Sequence, residues 1–151
     1  MSDIKSIRDL KHLGGLNDAV IVDGVLKRYN GSRREIAVPE GVTTIGDGAF
    51  KKSVNLTSIT LPEGVAIIGD SAFHGCTNLT SVTLPEGLTY IGNWAFNGCS
   101  KLESIALPEG VTNIGTSSFE RCTSLRDITL PKTLTIIGDS AFLVSVKPHT
   151  A

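Results

Sequence analysis

Residues Leu79 to Lys101 read LTSVTLPEGLTYIGNWAFNGCSK, and from Leu102 the next 23 residues, LESIALPEGVTNIGTSSFERCTS, repeat the pattern. The same step recurs in both directions. Pro39, Pro62, Pro85, Pro108 and Pro131 form one column, and Gly46, Gly69, Gly92, Gly115 and Gly138 a second. Phe50, Phe73, Phe96, Phe119 and Phe142 form a third, Leu56, Leu79, Leu102 and Leu125 a fourth, and Cys76, Cys99 and Cys122 a fifth. A fixed period of this length means a stack of like units, each covering its apolar edge only against its neighbours.

Within one unit, Leu79, Val82 and Leu84 are expected to point inward, with a strand at Val82 to Leu84 and Thr83 facing out. Pro85 has no N–H to donate, so the ladder stops there. Leu84 to Gly87 fits a type I turn with Pro85 at its second position and Gly87 at its fourth. Leu88 and Ile91 return to the core, and Gly92 is expected to hold a backbone conformation that a side chain resists. Asp47, Asp70, Asn93, Thr116 and Asp139 are all helix N-cap types or close to them, each ahead of residues such as Ala95 and Phe96. This column predicts one short helical turn per coil on the convex side, ended by glycines such as Gly75 and Gly98. With aromatics at 5%, the core is expected to be aliphatic layers rather than one large aromatic cluster.

The consensus Leu-x-x-Ile-x-Leu-Pro-x-x-Val-x-x-Ile-Gly-x-x-Ala-Phe-x-x-Cys resembles the BspA-like leucine-rich repeats. The resemblance covers residues 36 to 142, with 20 to 35 similar to the family's entry segment. It implies a β-rich, right-handed α/β leucine-rich-repeat solenoid. It also implies a binding or adhesive role, common among bacterial surface proteins.

The two ends differ from the repeat. Ile4, Ile7, Leu10 and Leu13 fall at helical spacing after Ser2 and before Gly14-Gly15. Residues 19–22 and 25–29 flank Asp23-Gly24, a two-residue hairpin signal. A helix plus hairpin over 1–35 is therefore read as the N-terminal cap that a solenoid needs, or else as a helix that docks a partner. The solenoid is placed at 36–142, as four full repeats and a partial fifth, and the tail at 143–151. In the last coil, Leu143 and Val144 replace polar residues of earlier coils and Val146 follows. These residues either fold over the open end or form an interface for self-association.

At 151 residues, 40% apolar and 19% charged, the chain suits one folded domain. A net charge of -1 gives no pull toward nucleic acid or an anionic membrane. No apolar run approaches the roughly 20 residues of a membrane span, so no insertion is expected. Met1 to Lys5 carries no apolar signal-peptide core. A cytoplasmic address is expected for the chain as given, and an extracellular or cell-surface one if a leader has been trimmed.

No cofactor, metal or catalytic set is expected. The cysteines lack the paired spacing of a zinc site and lie between inward columns, so they read as a buried ladder of free thiols. The glycines come one per column without a following Lys-Ser/Thr, unlike a phosphate loop. His12, His74 and His149 lack an evident nucleophile and carboxylate beside them.

Partner-binding candidates come from columns that vary. One column runs Thr44, Ile67, Tyr90, Asn113, Ile136, and another Gly48, Ser71, Trp94, Ser117, Ser140. A column that tolerates Gly, Ser and Trp is expected at the surface, with Tyr90, Trp94 and Ile67 as contacts. A Trp lying flat over neighbouring coils is the alternative. Outward strand positions introduce charge late, at Glu103, Arg126 and Asp127. Residues 27–52 carry a net +3, including Lys27, Arg28, Arg33 and Arg34, against -5 over 53–120, a segregation that can steer a charged partner. The expected function is a non-catalytic module binding another protein, with a surface adhesin or carbohydrate-binding protein as the alternative.

Overall fold

The computed structural model describes residues 16–145 and the backbone of 149–150. The expected helix over residues 2–13 lies outside these. The described chain opens with an antiparallel hairpin, β1 (Ala19–Val22) and β2 (Val25–Tyr29), in the register Val22↔Val25. Asp23 and Gly24 both have positive φ, 52° and 80°, as a two-residue turn matched to strand twist requires.

All but one of the following coils carry two short strands rather than one. They are β3 (Glu35–Ala37) and β4 (Thr44–Ile45), then β5 (Ser58–Thr60) and β6 (Ile67–Ile68), then β7 (Ser81–Thr83) and β8 (Tyr90–Ile91). The fourth coil has only β9 (Asn113–Ile114), and the fifth has β10 (Thr129–Leu130) and β11 (Ile136–Ile137). β12 (His149–Thr150) lies parallel to β10. The first strands of the coils stack as β3-β5-β7, and the second strands extend the hairpin into a seven-stranded sheet, β1-β2-β4-β6-β8-β9-β11. Every coil-to-coil pairing is parallel, and Ile67↔Tyr90↔Asn113 shows the 23-residue step. The long sheet was missed in the sequence because two-residue strands are too short to show alternation.

The expected helical turns are absent: no helix occurs among the described residues. On the convex side, the amides of Gly48, Phe50 and Lys52 donate to the carbonyls of Asp70, Ala72 and His74 in the following coil, at 2.7–2.8 Å. The amides between them, of Ala49, Lys51 and Ser53, donate back to Gly46, Gly48 and Phe50 at 3.0–3.1 Å. A helix would direct every amide along its own axis. Here alternate amides point along the solenoid instead, so the chain turns while staying bonded to the next coil. Left-handed residues make this possible at two columns per coil: Gly48, Ser71, Trp94, Ser117 and Ser140, and Lys52, Gly75, Gly98, Arg121 and Val144.

The Asp/Asn column likewise does something other than cap helices. Asp47 Oδ1 accepts from the amide of Asp70 at 2.8 Å, Asp70 Oδ1 from Asn93 and Asn93 Oδ1 from Thr116, both at 2.9 Å. The turn after Pro85 also starts one residue later than expected, since Leu88 N donates to Pro85 O, which puts proline first. Gly92 is needed for space rather than for φ: a Cβ there would stand 2.7 Å from both Asp70 N and Gly69 C.

An aromatic ladder runs the length of the core, between the aliphatic layers that the composition led one to expect in place of a large aromatic cluster. Phe50, Phe73, Phe96, Phe119 and Phe142 stack with centroids 5.1–5.5 Å apart, and Tyr29 tops the column at a 35° tilt to Phe50. Five rings suffice because each coil contributes one to the same line. Around them pack the fully buried columns Ile45, Ile68, Ile91 and Ile114 and Leu56, Leu79, Leu102 and Leu125. Cys76, Cys99 and Cys122 are buried free thiols, each donating to a phenylalanine carbonyl, Phe50, Phe73 and Phe96 respectively, at 3.0–3.2 Å. Burial pushes the Cys76 and Cys122 thiols up to about 12, and Cys99 well up too.

Candidate functional site

The outward face of the long sheet carries Ile67, Tyr90 and Ile136, exposed by 40%, 36% and 55%. Ile67 and Tyr90 are cross-strand partners, so their side chains stand one strand spacing apart on one face. Asn113 continues the row to Ile136. Four residues past Tyr90 on the same coil, Trp94 is 43% exposed. Its backbone is locked from both sides: its amide donates to Thr116 O at 2.8 Å, and its carbonyl accepts from Asn97 N at 3.2 Å.

Trp94 also holds φ +56°. Left-handed backbone is unfavourable for a large side chain, at a cost of order 1–3 kcal/mol. Neighbouring coils fill this position with Gly48, Ser71, Ser117 and Ser140, small residues that satisfy the turn. The column variation in the sequence pointed to this residue. The backbone strain beneath it was not visible there.

The charged candidates separate into two regions. Glu103, Arg126 and Asp127 lie where the β3-β5-β7 sheet gives way. In the fourth coil, residues 104–106 form only an isolated bridge, Ser104↔Asp127, with Arg126 N donating to Glu103 O at 3.0 Å. A cavity of about 310 Å³ opens there, lined among others by Ser104, Ala106, Glu109, Asp127 and Thr129. Sequence reading selected Asp127 but missed Glu109, which sits in the turn after Pro108.

At the other end, Lys27 and Arg28 are exposed on β2, and Arg33 and Arg34 follow in the connecting loop. The structure brings Arg33, but not the other three, to a second cavity of about 180 Å³ that Lys51 and Lys52 also line. Next to these lysines, His74 is held below the usual imidazole range by burial and then by the charges of Lys51 and Lys52. No group of three or more potential metal ligands occurs among the described residues.

Leu143 and Val144 are 52% and 61% exposed. Val146 lies outside the described residues. No helix among the described residues is long and apolar enough to cross a membrane.

The family model described as "BspA type Leucine rich repeat region" matches residues 28–147 with six copies. Among solved structures, the chain is similar to a leucine-rich repeat protein of T. pallidum at 34% identity, with a TM-score of 0.79 over 82% of this chain and 62% of that one. It is similar to a leucine-rich repeat protein of Bacteroides ovatus at 32% identity, TM-score 0.62, over 74% of this chain and 34% of that one. The pneumococcal vaccine antigen PcpA matches at 25% identity, TM-score 0.74, over 85% of this chain and 33% of that one. The chain thus spans 62% or less of each of these proteins. No curated protein matches it. The repeat sequence, the stacked parallel coils and these likenesses agree, and the chain belongs to the BspA type leucine-rich repeat family.

Proposed function

We propose that the protein is a non-catalytic module that binds another protein through the outward face around Ile67, Tyr90 and Trp94. The observation that carries this reading is Trp94: the chain's single tryptophan, 43% exposed, on a left-handed backbone where other coils place Gly or Ser. A bulky side chain held on such a backbone points to a use for it, and exposed Trp and Tyr are among the residue types that dominate binding hot spots. Membership of a repeat family that presents extended surfaces supports the same reading.

The charged candidates are secondary contacts. Glu103, Arg126 and Asp127 supply a polar rim beside the larger cavity, and Lys27, Arg28, Arg33 and Arg34 supply a basic end that steers an acidic partner. Leu143 and Val144, with the exposed Ile136 and Ile137, form an apolar end that supports self-association.

A second reading, display on a bacterial surface as an adhesin or carbohydrate-binding protein, is supported by the likeness to the pneumococcal vaccine antigen. Affinity capture separates the two. Wild type and the Tyr90→Ala/Trp94→Ser variant are compared as bait against native lysate and against a glycan panel. A protein retained by wild type and lost by the variant supports the protein-binding module. Capture that the variant leaves unchanged contradicts the placement of the site.

A further inference from the structure

We propose that the cavity lined by Arg33, Lys51 and Lys52 is a binding site for a tetrahedral oxyanion, a sulfate or phosphate group. It is separate from the Tyr90/Trp94 surface and does not depend on it. The cavity, about 180 Å³, lies between the loop leaving the hairpin and the first convex turn. Its lining residues include Lys51, Lys52 and Arg33 and no Asp or Glu, together with Ser32, Ser53, Asn30 and Asn55. The lysine pair supplies the charge, and Arg33, which has a partner of its own, forms part of the wall. Donors of this kind match an oxyanion, which accepts several charge-assisted hydrogen bonds at once.

Both walls are fixed in place. On the loop side, Arg33 N donates to the Tyr29 hydroxyl at 2.9 Å, and Tyr29 is anchored at the head of the aromatic ladder. Gly31 lies against that hydroxyl and the Asp18 carboxylate so closely that a Cβ has no room. On the turn side, Lys52 N donates to His74 O at 2.7 Å, which ties the turn to the second coil.

The lysine pair occurs in this coil alone. The Lys51 column continues as His74, Asn97, Glu120 and Leu143, and the Lys52 column as Gly75, Gly98, Arg121 and Val144. Lys52 holds φ +59°, the left-handed backbone shared by Gly75, Gly98, Arg121 and Val144, so the column fixes the turn and the paired lysines are what distinguishes this coil.

His74 provides a reporter. It is held low by burial first and then by the charges of Lys51 and Lys52, and its Nδ1 has no hydrogen-bond partner, so an anion that offsets those lysines raises its titration midpoint. The experiment follows the histidine ring signals of the full chain by NMR across pH. Sodium sulfate is compared with chloride at equal ionic strength, and then inorganic phosphate and a sulfated hexose with its unsulfated parent. Sulfate is expected to raise the His74 midpoint saturably, beyond chloride. A tighter response to the sulfated hexose identifies the group as an ester, and an equal one as the free anion. Lys51→Asn/Lys52→Gly borrows residues from the following coils, so the turn is preserved. In it, His74 is expected to titrate higher from the start, and sulfate affinity to fall at least about tenfold. Identical midpoints in sulfate and chloride for wild type, or a sulfate-specific rise that survives in the double variant, overturns the proposal.

Discussion

Asp70 Oδ1 accepts a hydrogen bond from the backbone amide of Asn93, 2.9 Å away in the following coil. The same bond joins Asp47 to Asp70 and Asn93 to Thr116, so a side chain staples each of the first three convex turns to the next. Asp70→Ala is expected to destabilise the fold by about 1–2 kcal/mol, because it leaves the half-buried Asn93 amide without its acceptor. Asp70→Asn keeps an oxygen in place, as Asn93 itself does, and is expected to cost much less. Urea unfolding midpoints with unchanged slopes check both.

The Gly columns separate two reasons for a glycine. Gly115→Ala puts a Cβ 2.5 Å from Asn93 N, a backbone atom that cannot swing away. The expected loss is about 2–4 kcal/mol, from forced displacement of one coil against the next. Gly48→Ala meets nothing within 4 Å but must hold φ +66°, for an expected loss of only about 1 kcal/mol. Equal losses in thermal or urea melts would contradict this division.

Much of the fold was legible because the repeat places one side chain in one environment five times over. The phenylalanine and leucine columns announced the core before any geometry was known. What the sequence concealed was hydrogen-bond direction. Asp70 and Asn93 have the chemistry of a helix cap and of an inter-coil staple alike, and only the path of the backbone amides distinguishes the two. Gly92 read as a conformational glycine, whereas the stacking distance between coils is what excludes a side chain. The interrupted strand at 104–106 has no sequence correlate at Ala106, which shares its column with Ala37, and Ala37 pairs with Thr60 in β3. Of the candidate site, Trp94 was visible as the outlier of its column. The meeting of Arg33 with Lys51 and Lys52 was not, because it depends on how the hairpin loop folds back.

The cysteine ladder has a measurable pH signature. A thiol raised to about 12 in the folded chain, against 9.0 ordinarily, keeps its proton where the unfolded chain would release it. The contribution to stability is therefore complete below pH 9 and falls as pH rises from 9 toward 12. In the native state all three thiols are expected to resist an aromatic disulfide reagent at pH 8, and to react at once in concentrated urea. Prompt native reaction would mean that the ladder is not closed.

Trp94 can be followed by its own fluorescence, since the chain holds one tryptophan. Its emission is expected to be red-shifted and readily quenched by iodide, as for an indole 43% exposed. Trp94→Ser is expected to change stability by less than about 1 kcal/mol, because the lost contacts are offset by a residue better suited to φ +56°. A large loss in urea unfolding would mean that the indole serves to cover neighbouring coils.

The most direct test of the central claim places a photo-crosslinking aromatic amino acid at position 94, and in a second protein at position 60, on the other sheet. Each is irradiated in native lysate or with intact cells. The account predicts a discrete protein adduct from position 94 and none from position 60. Adducts from position 60 alone, or none from 94 under conditions where wild type captures a partner, would contradict it.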